Sequence, residues 1–298
     1  MPSSDLRTAL AGMRGAVREN VPLAPYMHLR IGGPADWLIE PYAEEDVALA
    51  VRTCRELDVP IHILGGGSNV VVADAGVRGA VLHLGSLNRM VRDDTLVTAG
   101  AGCTLASLLR ATKEAGLAGL ERLTGIPAMV GGAVAMNAGT RDGETFDLLA
   151  SMTVVEADGT IAVRGPDRFA PVYRDGRLQG AIVVQASFRL EPDDPNAIFA
   201  RFSASLKKRN ATQPVSQRSV GCVFRNPDGD AAGRLIERSG CKTLRLGDIE
   251  VSGTHANYFV NSGGGTAADF VALMAEVQRR VRDAHGVELQ PEVKFWGF

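Results

Sequence analysis

Helical periodicity is clearest in the last part of the chain. Phe270, Leu273, Met274, Val277 and Val281 recur at spacings of three and four, which gives one apolar stripe facing a core and a charged opposite side. Thr266 with Asp269 reads as a capping box and Gly286 as the stop, so a long helix is predicted between them. Helices are also predicted over 44–57 and 105–115, each ending near a turn signal (Asp58 to Pro60, then Gly116). An amphipathic helix is expected over 196–209 and a short leading helix over 5–17.

Between these lie short β-branched runs. Strands are expected over 61–64, 69–72 and 80–84, separated by glycine turns, and over 181–190. Residues 152–163 read as a hairpin, because Ala157-Asp158-Gly159 supplies Asp-Gly turn chemistry between two β-branched runs. The acidic, proline-rich Glu191-Pro192-Asp193-Asp194-Pro195 marks a domain boundary. The expected organisation is a leading helix (1–19), a first subdomain (20–88, rejoined by 287–298), a second (89–192) and a third domain (193–286).

Composition adds constraints. The 298 residues suffice for two or three domains, and 45% apolar with 22% charged residues is ordinary for a soluble globular protein. A formal net charge of −2 gives no electrostatic reason to expect a nucleic-acid or membrane partner. The four cysteines lack CxxC spacing and paired histidines, so no metal site is expected. No apolar run reaches transmembrane length, and Met1-Pro2-Ser3-Ser4-Asp5 lacks the basic and apolar stretches of a signal peptide. A cytoplasmic protein with reduced thiols is the expectation.

Glycine, at 34 residues, is the outlier. Two glycine-rich loops stand out, Gly65-Gly66-Gly67-Ser68-Asn69 and Gly125-Ile126-Pro127-Ala128-Met129-Val130-Gly131-Gly132. The first is followed by Val70-Val71-Val72, a strand rather than a helix, so it fits neither a dinucleotide-binding fingerprint nor a P-loop. A nest of backbone N–H groups cupping a pyrophosphate is the better reading, although flexible turns also use such glycines. The second loop leads through Ala133 to Met136-Asn137-Ala138-Gly139, where small residues alternate with amides and suit close backbone approach to a ligand. Arg30-Ile31-Gly32-Gly33 adds a third small-residue turn.

Three further segments carry chemistry-bearing side chains. Gly221-Cys222-Val223-Phe224-Arg225-Asn226-Pro227 is either a strand with a buried cysteine or a thiol proton donor followed by polar groups that grip a substrate. Arg174, after Tyr173, is either a solvated loop charge or a functional cation. Glu292, among apolar residues in Gln290-Pro291-Glu292-Val293-Lys294, is either an edge ion-pair partner or a site carboxylate.

Taken together, these segments resemble the UDP-N-acetylenolpyruvoylglucosamine reductase family of peptidoglycan precursor synthesis, over about residues 20–297. The short interval between Tyr173 and Gly221 resembles the compact type without an inserted substrate loop. The resemblance implies an α+β fold: a two-subdomain FAD-binding fold of the vanillyl-alcohol-oxidase/PCMH type plus a C-terminal α/β substrate domain. It implies non-covalent FAD, NADPH as co-substrate and a UDP-sugar as substrate. NADPH reduces the flavin and departs. The enolpyruvyl ether then receives a hydride at its terminal carbon and a proton at the adjacent one, giving UDP-N-acetylmuramate.

Residue roles follow from the same resemblance. Arg174 and Glu292 match the family's catalytic arginine and glutamate, and Cys222 stands where many members carry the proton-donating serine. Cofactor contacts are expected from Arg30, Ile31, Gly32, Gly33, Gly65, Gly66, Gly67, Ser68, Asn69, Gly125, Ile126, Pro127, Gly131, Gly132, Ala133, Asn137, Gly139, Ile182 and Lys294. Substrate contacts are expected from Tyr173, Arg225, Asn226 and Asn261. Ala128 replaces a usual glycine, Lys294 a common arginine, and Ser252-Gly253-Thr254-His255 departs from a more charged family sequence. A monomer is expected. The rivals are an oxidase of the same fold, which often tethers FAD through a histidine that neither loop here contains, and a non-catalytic flavin or nucleotide-sugar binder.

Overall fold

The structure, a computed structural model, describes residues 4–298; Met1, Pro2 and Ser3, which open the expected leading helix, lie outside the described residues. Chain contacts divide the protein into two compact units. The first comprises the chain up to Asn20, Asp36–Gly66 and Gly79–Lys207, and the second Val21–Ala35, Gly67–Arg78 and Lys208–Phe298.

In the first unit, five antiparallel strands run in the order Ile161–Arg164, Leu149–Val155, Ile182–Arg189, Leu96–Gly100, Met90–Asp93. The unbroken apolar start of the middle strand, Ile182-Val183-Val184, is buried on both faces. Val183 joins a core with Leu105, Leu108 and Leu109 of the helix Leu105–Glu114, while Ile182 and Val184 join one with Val47 and Val51 of the helix Glu44–Glu56. The predicted hairpin closes at Gly159, whose φ of +83° suits glycine. A four-stranded sheet, mostly in this unit, is ordered Gly15–Pro22, Pro34–Pro41, Val77–His83, Ile61–Leu64, its last pair parallel.

The second unit has a four-stranded antiparallel sheet ordered Ser219–Cys222, Tyr258–Asn261, Ile249–Val251, Arg245–Leu246. The helix Ala267–His285 lies in its core, with Phe270, Leu273, Val277 and Val281 buried as the periodicity predicts. Thr266 Oγ1 accepts from the Asp269 N–H and Asp269 Oδ2 from the Thr266 N–H, both at 3.0 Å, and Gly286 ends the helix at φ +67°. Asp74 adds a cap that the sequence did not announce: its two oxygens accept from the N–H groups of Ala267 (2.9 Å) and Ala268 (3.0 Å). The strand Lys294–Trp296 pairs in parallel with Val70–Val72.

Three expectations change. The leading helix stops at Ala9, and Gly15–Pro22 is a strand. Gly15 sits at φ +125°, where an added Cβ would lie 2.1 Å from the Glu40 carbonyl oxygen, so the chain turns into the sheet instead of continuing the helix. The second glycine-rich stretch is not all loop, because Val130–Ala135 forms a short helix whose Val130, Ala133 and Val134 enter the core. The helix Pro195–Thr212 runs longer than expected and buries only Ile198. Its Phe199 and Phe202 rings instead lie 5.2 and 5.3 Å from the Lys113 ammonium.

Candidate functional site

Within the first unit the two glycine-rich stretches face one another. A Cβ added at Gly65 would lie 3.7 Å from Met129 Cβ and 3.9 Å from the Gly132 nitrogen, and one at Gly66 would lie 3.7 Å from Met129 Cγ. At Gly132 it would meet nothing within 4 Å. The protein's own packing therefore does not require glycine at these three positions, and they leave bare backbone with space above it. Gly131 differs: a Cβ there would come within 2.8 Å of Ala101 Cβ, and its N–H donates to the Ala101 carbonyl at 2.9 Å. Gly139 is likewise packed, with a Cβ position 2.7 Å from the Gly143 carbonyl oxygen. Ala133 and Ile182 are core residues, Gly125 turns at φ +79°, and Ile126 packs partly on the core beside an exposed Pro127.

Asn137, also expected at the cofactor, is buried with its amide committed to the protein. Its Nδ2 donates to Glu144 Oε2 (2.6 Å) and the Val172 carbonyl (3.3 Å), and its Oδ1 accepts from the Phe146 N–H (3.2 Å). The Val172 contact ties this stretch to a tight turn. Val172 and Asp175 exchange backbone hydrogen bonds of 2.9 and 3.0 Å, which leaves Tyr173 and Arg174 at the apex. Arg174 has φ +58°, and its guanidinium carbon lies 4.7 Å from the Tyr173 ring centroid. A non-glycine residue held there costs about 1 kcal/mol or more, partly offset by a cation–π contact of about 0.5–1 kcal/mol. Arg174 thus lies at the apex of a tight turn with its guanidinium against the Tyr173 ring.

The second unit gathers Arg30 to Gly33, Gly67 to Asn69, Cys222, Arg225, Asn226, Asn261, Glu292 and Lys294. Several of these are explained by local packing. Gly67, at φ +64°, would place a Cβ 2.2 Å from the Tyr26 carbonyl oxygen, and at Gly33 the nearest atom would be the Asp74 carbonyl oxygen, also at 2.2 Å. A Cβ at Gly32 would press on Val72 at 2.8 Å. Arg30 donates to the Pro25 carbonyl, and Ile31 is a core residue. Asn261 is buried, donating to the Leu29 carbonyl (2.9 Å) and accepting from the N–H groups of Gly263 and Gly265. Asn226 Oδ1 accepts from the Ala232 N–H (3.0 Å) at the start of the helix Ala232–Arg238.

The segments that carry Cys222 and Glu292 do pair. The Glu292 N–H donates to the Val223 carbonyl at 2.8 Å, the Arg225 N–H donates to the Gln290 carbonyl at 2.9 Å, and Phe224 bridges Pro291 antiparallel. Asn257, unforeseen in the sequence, splints the cysteine side of this pairing. Its amide accepts from the Phe224 N–H (2.9 Å) and donates to the Phe224 carbonyl (2.7 Å), while its own carbonyl accepts from Val223. Asn69 Nδ2 donates to the Glu292 carbonyl (3.3 Å), and the Lys294 N–H to the Asn69 carbonyl (3.0 Å). The Lys294 side chain is exposed.

A buried tyrosine completes this cluster. Tyr258 stands opposite Cys222 in the sheet register, hydrogen-bonds the cysteine side chain, and donates its hydroxyl to Gln213 Oε1 at 3.0 Å. Burial above all, then the charges of Cys222 and Glu292, push its phenol pKa above the ordinary value, against the nearby Arg209. The His255 ring packs edge-on to it at 5.0 Å, and burial pushes that imidazole's pKa down. No spacing rule on the sequence marks Tyr258, Gln213 or Arg209; only the strand register brings them to Cys222.

Known proteins match the chain over most of its length. Residues 35–164 match the family described as FAD binding domain, and residues 213–296 the UDP-N-acetylenolpyruvoylglucosamine reductase C-terminal domain. The chain is 42% identical to UDP-N-acetylenolpyruvoylglucosamine reductase 2 of Symbiobacterium thermophilum, over 95% of this chain and 93% of that one. It is similar to the crystal structure of UDP-N-acetylenolpyruvylglucosamine reductase from Thermus caldophilus, with TM-score 0.82 and 37% identity, covering 95% of this chain and 99% of that one. Berberine bridge enzyme from Eschscholzia californica shares the fold alone, at TM-score 0.50 and 19% identity, over 64% of this chain and 44% of that one. The bare backbone at Gly65, Gly66 and Gly132 fits a flavin nucleotide, since it offers N–H groups and room without a side chain between them. The chain belongs to the UDP-N-acetylenolpyruvoylglucosamine reductases, FAD-dependent oxidoreductases with an α+β FAD-binding fold and a C-terminal substrate domain.

Proposed function

We propose that Arg174, Cys222 and Glu292 divide the polar work of this family's reaction, the NADPH-dependent reduction of the enolpyruvyl UDP-sugar to UDP-N-acetylmuramate. Bound FAD supplies the hydride, with NADPH as the source of electrons. Gly65, Gly66 and Gly132 would hold it through backbone N–H groups.

The remaining steps fall to side chains. Hydride addition at the terminal carbon of an enol ether leaves negative charge on the adjacent carbon and its carboxylate. Arg174, at the apex of its turn and against the Tyr173 ring, offers a forked cationic donor to that carboxylate. The S–H of Cys222 breaks as its proton passes to the adjacent carbon, forming the C–H bond and leaving a thiolate. Glu292, protonated or sharing a water, donates to the oxygens of the same carboxyl group, and its backbone is tied to the cysteine segment. Tyr173 and Arg225 contact the substrate directly. Asn226 and Asn261 contribute by shaping the helix start and glycine loop whose N–H groups they accept. The protein acts as a cytoplasmic monomer; among the described residues no helix is long and apolar enough to cross a membrane.

The observation that supports this reading is the 2.8 Å bond between the Glu292 N–H and the Val223 carbonyl, which ties the glutamate's backbone to the segment that carries Cys222. Anaerobic mixing tests it. The yellow holoenzyme should bleach with NADPH and regain colour only when the enolpyruvyl UDP-sugar is added. Recolouring with air alone would indicate an oxidase, and no bleaching a silent binder.

A further inference from the structure

We infer that Tyr258, backed by Gln213, is a positioning residue for Cys222: its hydroxyl holds the thiol in the reactant and turns to hydrogen-bond the thiolate once the proton has left. This rests on Cys222 being the proton donor proposed above.

The geometry gives the hydroxyl two partners. In the resting arrangement its hydrogen goes to Gln213 Oε1 at 3.0 Å, and the same hydroxyl lies within hydrogen-bond reach of the Cys222 side chain. Cross-strand pairing of Cys222 with Tyr258 fixes the two side chains at one register position. After protonation of the substrate carbon the sulfur is a partly buried anion. Partial burial raises the cost of the thiolate, and a neutral O–H donor offsets it. Tyr258 can play that part because burial keeps the phenol protonated well above neutral pH. The charged and titratable groups facing it are Arg209 from the helix Pro195–Thr212, Glu292 from the C-terminal segment and His255 from the loop before its own strand. Arg209 Nε is buried and has no hydrogen-bond partner among the described residues, and the guanidinium charge works against the rise in the phenol's pKa. Water re-protonates the thiolate and restores the resting state.

Gln213 gives the idea a sign. It competes with the thiolate for the tyrosine hydrogen, so the two variants should move the cysteine in opposite directions. The measurement is the pH midpoint of Cys222 alkylation by iodoacetamide in the FAD-loaded protein, read by peptide mass spectrometry. Cys54, Cys103 and Cys241 are buried and serve as the baseline. Tyr258→Phe should raise the midpoint by about one pH unit, the loss of one hydrogen bond to a charged group. Gln213→Leu should lower it. Unchanged midpoints, or shifts of the same sign, overturn the assignment. Turnover supplies a second test. Tyr258→Phe should slow substrate-dependent flavin reoxidation about tenfold with Cys222 present and far less in a Cys222→Ser background. Equal slowing in both backgrounds would mean that Tyr258 does not act through the thiol. If instead Cys222→Ala reoxidises at the parent rate while the alkylation shifts persist, the proton-donor reading has failed and the tyrosine–thiol coupling stands.

Discussion

Asn69 and Glu292 are far apart in sequence, yet the Asn69 side-chain amide donates to the Glu292 carbonyl at 3.3 Å. The last residue of the first glycine loop thereby steadies the backbone of the carboxylate assigned to the substrate. Asn69→Ala should cost about 1 kcal/mol of stability, seen as a lower denaturation midpoint. It should also lower kcat more than it raises the KM for the UDP-sugar. A kcat at the parent value would show that the bond serves folding alone.

Cysteine in place of serine makes a pH signature. A thiol with the ordinary pKa of about 8.5 carries its proton at neutral pH and loses it as pH rises. Turnover should therefore fall on an alkaline limb that Cys222→Ser removes, because a serine hydroxyl does not titrate there. Cys222→Ala should slow flavin reoxidation by about 10²–10⁴ and largely spare reduction by NADPH. Stopped-flow absorbance separates the two half-reactions, and equal slowing of both would count against the role.

Glycine positions split by cause. At Gly132, inside a short helix with open space at the Cβ position, Gly132→Ala should raise the stability of the FAD-free protein by up to about 1 kcal/mol while weakening FAD binding. Gly67→Ala should do the reverse to the fold, because its φ of +64° and the Tyr26 carbonyl at 2.2 Å leave no room. Thermal melts and flavin-fluorescence titration check the pair. A stabilised Gly132→Ala that binds FAD normally would remove Gly132 from the cradle.

Asp74→Ala should destabilise the second unit by about 1–2 kcal/mol, because it strips two N–H caps from the start of the helix Ala267–His285. Hydrogen exchange should report this as faster opening of that helix, with the helix Leu105–Glu114 unaffected.

Burial pushes the Cys54 thiol up to about 11, so it remains protonated across the working range. Iodoacetamide should leave Cys54 unmodified at neutral pH until the chain is unfolded. Labelling of the native protein at that position would show that the core around Val47 and Val51 opens.

The long helix 267–285 was readable because its stripe, capping box and terminal glycine agree. The leading helix was overread, because local propensity around residues 5–17 does not disclose the sheet that captures Gly15–Pro22. At the site, the motif residues were visible but not their jobs. Asn137 and Asn261 look like ligand-facing amides in sequence, and the fold shows both also hydrogen-bonding backbone. Tyr258 was invisible for the opposite reason: nothing near it in sequence is unusual, and its importance comes from a register pairing with Cys222. Segments that read as one stretch, 20–88, are shared between the two units, since which core takes each piece depends on residues far along the chain.

The parallel pairing of Val70–Val72 with Lys294–Trp296 has a temporal consequence. The earlier strand leaves the ribosome long before its mate exists, so the second unit cannot close its core during most of synthesis. Such a distant closure costs entropy and time. Until that mate emerges, the edge of the valine run lacks its parallel neighbour and is open to wrong pairing.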